Sequence, residues 1–179
     1  MNAIVCDANL RTALYAIRSL GRRNIDVTAV EEHSRSVIPI GFRSVYCKKR
    51  LWSPRVSSEE DYIAFLLDLA DAHDAILPAG ISSMVSIAKH LDLFDRRTRI
   101  PIPPYNKLMI AIDKEQTFRF ALDNDIPCPA TYFPADSADI VRISREIEYP
   151  AVIKVRRGST ARGVEYAASP QELIDRYER

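Results

Sequence analysis

An alternation at the start of the chain constrains the fold more than any other feature. Ala3-Ile4-Val5-Cys6 is a short apolar run of the kind that forms a buried strand. Leu10, Leu14, Ile17 and Leu20 then recur at helical spacing, and Gly21 stands where a helix stop is expected. Residues 25–31 read as a second strand. Strand, helix and strand in so short a span form a βαβ unit, and parallel pairing follows because such strands need a crossover between them. Residues 44–49 read as a short edge strand and Trp52-Ser53-Pro54 as a turn. Ser57-Ser58-Glu59-Glu60 leads into a helix with Ile63, Leu66, Leu67 and Ala70 on its apolar face. Residues 74–80 form another strand ending in Pro78 and Gly80, and Ser82 or Ser83 caps a helix carrying Val85, Ile87, Ala88 and Leu91. The expected fold class is therefore α/β, a parallel sheet with helices on both faces.

Ligands in open α/β sheets collect where strand C-termini meet helix N-termini. Residues 7–10 and 79–83 are such places, an ordinary helix cap being the plainer reading of each. Glu31, at the end of the second strand, stands where a dinucleotide-binding domain holds its ribose. Yet Asp7-Ala8-Asn9-Leu10-Arg11-Thr12 contains no glycine, and the pyrophosphate fingerprint needs glycines for its tight turn and close backbone approach. A nicotinamide cofactor is excluded on that ground.

With 25 Lys+Arg against 24 Asp+Glu, net charge gives no support to binding of nucleic acid or a membrane surface. The three cysteines, Cys6, Cys47 and Cys128, are far apart and form no Cys-x-x-Cys. Neither a disulfide framework nor a zinc ribbon is indicated, and Cys6 and Cys128 read as small buried hydrophobes rather than nucleophiles. His33, His73 and His90 are likewise dispersed. No apolar run approaches a membrane span, and Met-Asn-Ala-Ile-Val-Cys-Asp lacks the features of a signal peptide, so a cytoplasmic location is expected.

Ile100-Pro101-Ile102-Pro103-Pro104 breaks the alternation as a stiff extended connector and sets the expected domain boundary, 1–104 and 105–179. Beyond it a short helix covers residues 105–112. Asp113 followed by Gln116 forms a capping box for the next helix, with Phe118, Ala121 and Leu122 on its buried face. Lys114 then falls in the first helical turn, where a cation opposes the helix dipole unless an anion lies nearby. Asp125-Ile126-Pro127-Cys128-Pro129 ends that helix, and Ile140, Ile143 and Ile147 mark another.

Tyr149-Pro150-Ala151-Val152-Ile153-Lys154-Val155 opens a strand, a loop of small residues spans 158–163, and residues 164–167 return as a second strand. Alternation puts Lys154 on a face with Val152 and Arg156. Lys154, Arg156, Arg157 and Arg162 bring four cations into a stretch with no acid between Glu148 and Glu165. Glycines that admit backbone N–H groups, beside a lysine, suit a highly charged anion. The lysine precedes the glycines on a strand, so this is not a Walker A loop. A solvated basic hairpin tip is the alternative. Ser169-Pro170-Gln171-Glu172 starts a final helix with serine cap, early proline and glutamate three residues on.

Asp113-Lys114, residues 125–131, residues 149–154, residues 157–164 and Ser169-Pro170-Gln171-Glu172-Leu173, in this order and spacing, resemble the ATP-grasp superfamily. The likeness is closest to the carbamoyl-phosphate synthase large-chain-like carboxylate–amine ligases, and residues 1–104 are similar to the Rossmann-like pre-ATP-grasp domain of those enzymes. The resemblance implies a first, α+β ATP-grasp subdomain over 105–179, incomplete at its C-terminus. It implies Lys114 and Lys154 as nucleotide-binding lysines, and Gly158, Ser159, Thr160 and Gly163 as part of the loop that closes over ATP. It also implies Mg²⁺, a small-molecule carboxylate activated as an acyl phosphate, and an amine or thiol acceptor; a homodimer is compatible with it. In that family the adenine hinge and the magnesium ligands follow the helix that Ser169 begins. The expectation is thus of ligands beyond Arg179 and of an inactive 1–179 taken alone. Arg156-Arg157 departs from the proline-containing sequence common after the strand lysine. The competing expectation is a non-catalytic, Rossmann-like ligand-binding or subunit-contact module with a degenerate nucleotide loop.

Overall fold

The computed structural model describes every residue except 34–36, 95–97, 159–162 and 179. The chain divides into two compact units, Met1–Leu108 and Met109–Arg179.

The first unit is built on four parallel strands, β1 (Asn2–Val5), β2 (Asp26–Glu32), β3 (Cys47–Ser53) and β4 (Ala75–Leu77), in the order β3-β2-β1-β4. Ile4 is in register with Thr28 on one side and Ile76 on the other. Side chains alternate across this sheet, and each face finds its own helices. Val5, Val27 and Ala29 pack against Ala13 and Ile17 of α1 (Arg11–Gly21) and against Phe42. Ile4, Cys6, Val30 and Ile76 pack against Tyr62, Ile63 and Leu66 of α2 (Glu59–Ala70) and Ile87 of α3 (Ile81–Lys89). This is the doubly covered parallel sheet expected from the alternation.

Some local details follow expectation and others differ for identifiable reasons. α1 ends at Gly21, where the stop was expected. A Cβ there would meet the Tyr46 side chain at 2.4 Å, so glycine also serves close packing. The left-handed turn that ends the helix belongs to Asn24, at φ 58°. Trp52 and Ser53 are strand rather than turn, because β3 continues in register beside Glu31 and Glu32 of β2, while Trp52 meets the rings of His33 and Phe42 edge-on. As the outermost strand, β3 leaves Lys48, Lys49 and Arg50 exposed in succession.

The second unit contains an antiparallel hairpin, β5 (Ala151–Lys154) and β6 (Val164–Ala167), with Lys154 opposite Val164. Two helices, α6 (Ser137–Glu146) and α7 (Pro170–Tyr177), close a small core of Ile140, Ala167 and Leu173, bordered by Ile147, Tyr149, Ile153 and Tyr177. Ser169 caps α7 by accepting from the Glu172 N–H, and the Glu172 carboxylate accepts from the Ala168 N–H. Before these lie α4 (Tyr105–Ile112), within which the division between the units falls, and α5 (Lys114–Asp123). Contrary to expectation, Leu122 is 56% exposed and α5 buries no residue fully. The unit's apolar cluster lies among the hairpin, α6 and α7, and α5 is held through polar bonds at its first residues.

Candidate functional site

In the second unit those polar bonds converge on Asp113. Its side chain accepts from the Glu115 and Gln116 N–H groups and so caps α5, as the capping-box reading expects. It also does something the sequence reading missed. Arg156 Nε donates to both carboxylate oxygens at 2.8 Å, and Arg157 Nε donates to Oδ2 at 3.1 Å. Arg156 reaches Glu115 as well, at 2.8 Å. The carboxylate has no exposed surface, and its own arginines seal it from water. Their hydrogen bonds hold its pKa down at about 2, against an ordinary 3.8.

Two of the four cations expected to crowd the hairpin tip are therefore neutralised within the unit. A stretch without acids needs counter-charges from elsewhere in the chain, and that was the available signal.

The same contact joins Lys114 to the hairpin and its loop. The Lys114 N–H donates to the Arg156 carbonyl, and Lys114 Nζ donates to the Gly158 carbonyl at 3.1 Å. Lys154 ends β5 on the exposed face it shares with Val152, and among the described residues its ammonium has no hydrogen-bond partner. Gly163 closes the loop at φ +77°, where a side chain would both strain the backbone and meet Val155 at 2.7 Å. Its carbonyl accepts from the Val155 N–H, extending the hairpin ladder past Lys154. Ser159 and Thr160 lie outside the described residues.

Lysine ammonium groups and glycine N–H groups are donor types that bind phosphate oxygens. Magnesium is a different matter. Among the described residues no three His, Cys, Asp or Glu side chains come close enough to hold a metal ion. Asp113, the best-placed acid, is already engaged by its arginines.

In the first unit the two helix starts singled out from the sequence meet. Asp7 Oδ2 accepts from the Ala79 and Gly80 N–H groups at 3.0 and 2.7 Å and from the Ser83 hydroxyl at 2.5 Å. Neither Ser82 nor Ser83 caps α3. Gly80 is the capping residue, and Asp7, which follows β1, binds the backbone just ahead of the helix and the Ser83 hydroxyl within it. Glu31 accepts from the Asn9 N–H at 2.6 Å. Buried Cys6 has its thiol pushed up to about 12, chiefly by burial, as suits a small hydrophobe rather than a nucleophile.

No protein-family model and no curated protein sequence matches the chain. Solved structures do. The biotin carboxylase domain of Hydrogenobacter thermophilus 2-oxoglutarate carboxylase, in complex with MgADP, ADP and bicarbonate, is similar over 99% of this chain and 39% of its own, with TM-score 0.72 and 20% identity. An L-amino acid ligase from Bacillus licheniformis is similar over 97% of this chain and 40% of its own, with TM-score 0.69 and 17% identity. A RimK domain protein ATP-grasp from Sphaerobacter thermophilus gives TM-score 0.63 at 16% identity, over 99% of this chain and 58% of its own. The chain thus spans about 40% of the length of the first of these structures and carries the fold of the N-terminal part of ATP-grasp enzymes.

Proposed function

We propose that these residues supply the N-terminal part of an ATP-dependent ligase that activates a small carboxylate as an acyl phosphate and joins it to an amine or thiol. Residues 1–104 would be its pre-ATP-grasp domain and 105–179 its first ATP-grasp subdomain, in a cytoplasmic enzyme. The observation that carries the reading is the meeting of Lys114 with the Gly158 carbonyl beside a hairpin whose strand ends in exposed Lys154.

In this reading Lys114 and Lys154 bind phosphate oxygens of ATP and offset their charge, while Gly158 and Gly163 let backbone N–H groups approach. Bound ATP supplies the phosphoryl group, and the chain's part is positioning and electrostatic support. Ser159 and Thr160 belong to the same loop in sequence. The described residues do not fit magnesium, so its ligands are assigned to residues other than these, and the 179 residues alone are expected not to turn ATP over. Acceptor-dependent ADP release from purified 1–179 would overturn that assignment.

The direct test is a titration of the chain with ATP, followed by the amide signals of Lys114, Lys154, Gly158 and Gly163. Saturable shifts there, lost in Lys154→Met, are expected. Their absence, or their persistence in the variant, would reject the nucleotide site. One observation favours the second reading, a non-catalytic module: Asp113 already holds Arg156 and Arg157, which makes the basic tip partly a structural clasp.

A further inference from the structure

A cleft of about 610 Å³ opens in the first unit at the C-terminal edge of the parallel sheet, and its walls are acidic. Asp7, Glu31, Glu32 and Glu59 line it, with Ser53 and Ser86 among the other residues of the wall. The charges are unequally matched. Glu59 is paired with Lys89 at 2.8 Å and His90 at 2.9 Å, and Glu32 stands 3.9 Å from Arg55. Among the described residues Asp7 and Glu31 have only neutral donors, two N–H groups and a hydroxyl for Asp7 and backbone N–H groups for Glu31. Among the described residues neither carboxylate has a cationic partner. Burial raises the pKa of half-buried Glu31, and nearby Asp7 raises it further.

Helix N-termini around such a cleft ordinarily draw anions. Here the chain's own carboxylates stand beside them: Asp7 on the Ala79 and Gly80 N–H groups just ahead of α3, Glu31 on the Asn9 N–H ahead of α1, and Glu59 in the first turn of α2. An incoming anion would meet repulsion. A metal ion finds no cluster of three ligating His, Cys, Asp or Glu side chains among the described residues. A neutral ligand would leave the two unmatched carboxylates as they are. Among the described residues the hydroxyls of Ser53 and Ser86 are buried without a hydrogen-bond partner, although most such groups are satisfied in folded proteins.

We propose that this cleft binds a small organic cation, a primary amine or guanidine, with Glu31 as its principal counter-charge and Asp7 as the second. Ser53 and Ser86 would meet the ligand's polar hydrogens or hydroxyls. The site stands on the first unit alone and is independent of the ligase reading.

The test titrates the full chain, at constant ionic strength, with three probes built on a four-carbon chain: agmatine, succinate and butane-1,4-diol. Agmatine at roughly 10 mM is expected to give saturable shifts of the Asn9, Glu31, Ser53 and Ser86 amides, with no response to the other two. Glu31→Gln keeps the shape and the acceptor for Asn9 but removes the charge, and should weaken agmatine by roughly 10–100-fold. Glu60→Gln, on the exposed side of α2, should leave affinity unchanged. No saturable shift with agmatine, an equal response to succinate or the diol, or undiminished binding in Glu31→Gln would each overturn the proposal. The ranking of the three probes on the unaltered chain decides the matter even where a variant fails to fold.

Discussion

Asp113→Asn and Asp113→Ala together separate the two roles of one carboxylate. The fall from 3.8 to about 2 corresponds to roughly 2 kcal/mol of preference for the charged form in the folded unit. Arg156 and Arg157 are 54% and 63% exposed, so water screens both pairs and about 1 kcal/mol is the realistic share. Asn caps a helix about as well as Asp, so Asp113→Asn should cost about 1 kcal/mol and Asp113→Ala a further ~1 kcal/mol for the lost cap. The pKa is depressed on folding, so the charge contributes its full stability above pH 3.8 and loses it as pH falls through that value towards about 2. Urea unfolding, followed through amide signals of the second unit, should show the wild-type chain ahead of Asp113→Asn by ~1 kcal/mol at about pH 6 and level with it near pH 2. An advantage of equal size at both pH values would refute the ion-pair account. So would Asp113→Asn matching the wild type at the higher pH.

Three further outcomes are expected. Lys154→Met should leave melting without nucleotide unchanged and weaken ATP binding by roughly 1.5–3 kcal/mol, read as loss of the ATP-induced rise in melting temperature; an undiminished rise would return the loop to a basic tip with no ligand. Gly163→Ala should destabilise the second unit by about 1–3 kcal/mol in the same urea assay, because φ +77° is unfavourable for alanine and the new Cβ meets Val155; neutrality would show that the loop backbone adapts. Of the three thiols, half-exposed Cys128 should react with iodoacetamide in the native chain while buried Cys6 and Cys47 resist, which mass spectrometry of the labelled peptides would check.

The parallel sheet was legible because its signals are local. Ile4, Val30 and Ile76 sit in short apolar runs separated by a helical period, and topology follows from the chirality of the crossovers. The α7 start was equally legible, since Ser169, Pro170 and Glu172 carry their cap within four residues. Asp113 was half legible. Its cap is local, but its arginines lie 43 and 44 residues away, and pairing across such a span leaves no periodic trace. The same limit hid the partnership of Asp7 with the start of α3, which joins residues more than 70 positions apart. Gly21 was legible as the end of α1, while its close approach to the Tyr46 side chain, a tertiary neighbour, left no local sign. Leu122 lies on a face whose helical period reads as buried, yet it stays exposed.

The outer strand β3 bears on how the protein avoids its own kind. A parallel sheet ends in a row of unpaired N–H and C=O groups, which any extended segment of another copy can lengthen. Lys48, Lys49 and Arg50 follow one another along that rim, Lys49 and Arg50 on opposite faces, so a second β3 brought alongside in register sets cation against cation three times over. The repulsion acts at encounter, before any specific contact forms, and it weakens as salt shortens the reach of the charges. Growth of sheet upon sheet is thereby discouraged at low ionic strength, and neutralising those three side chains is the shortest route to a chain that assembles edge to edge.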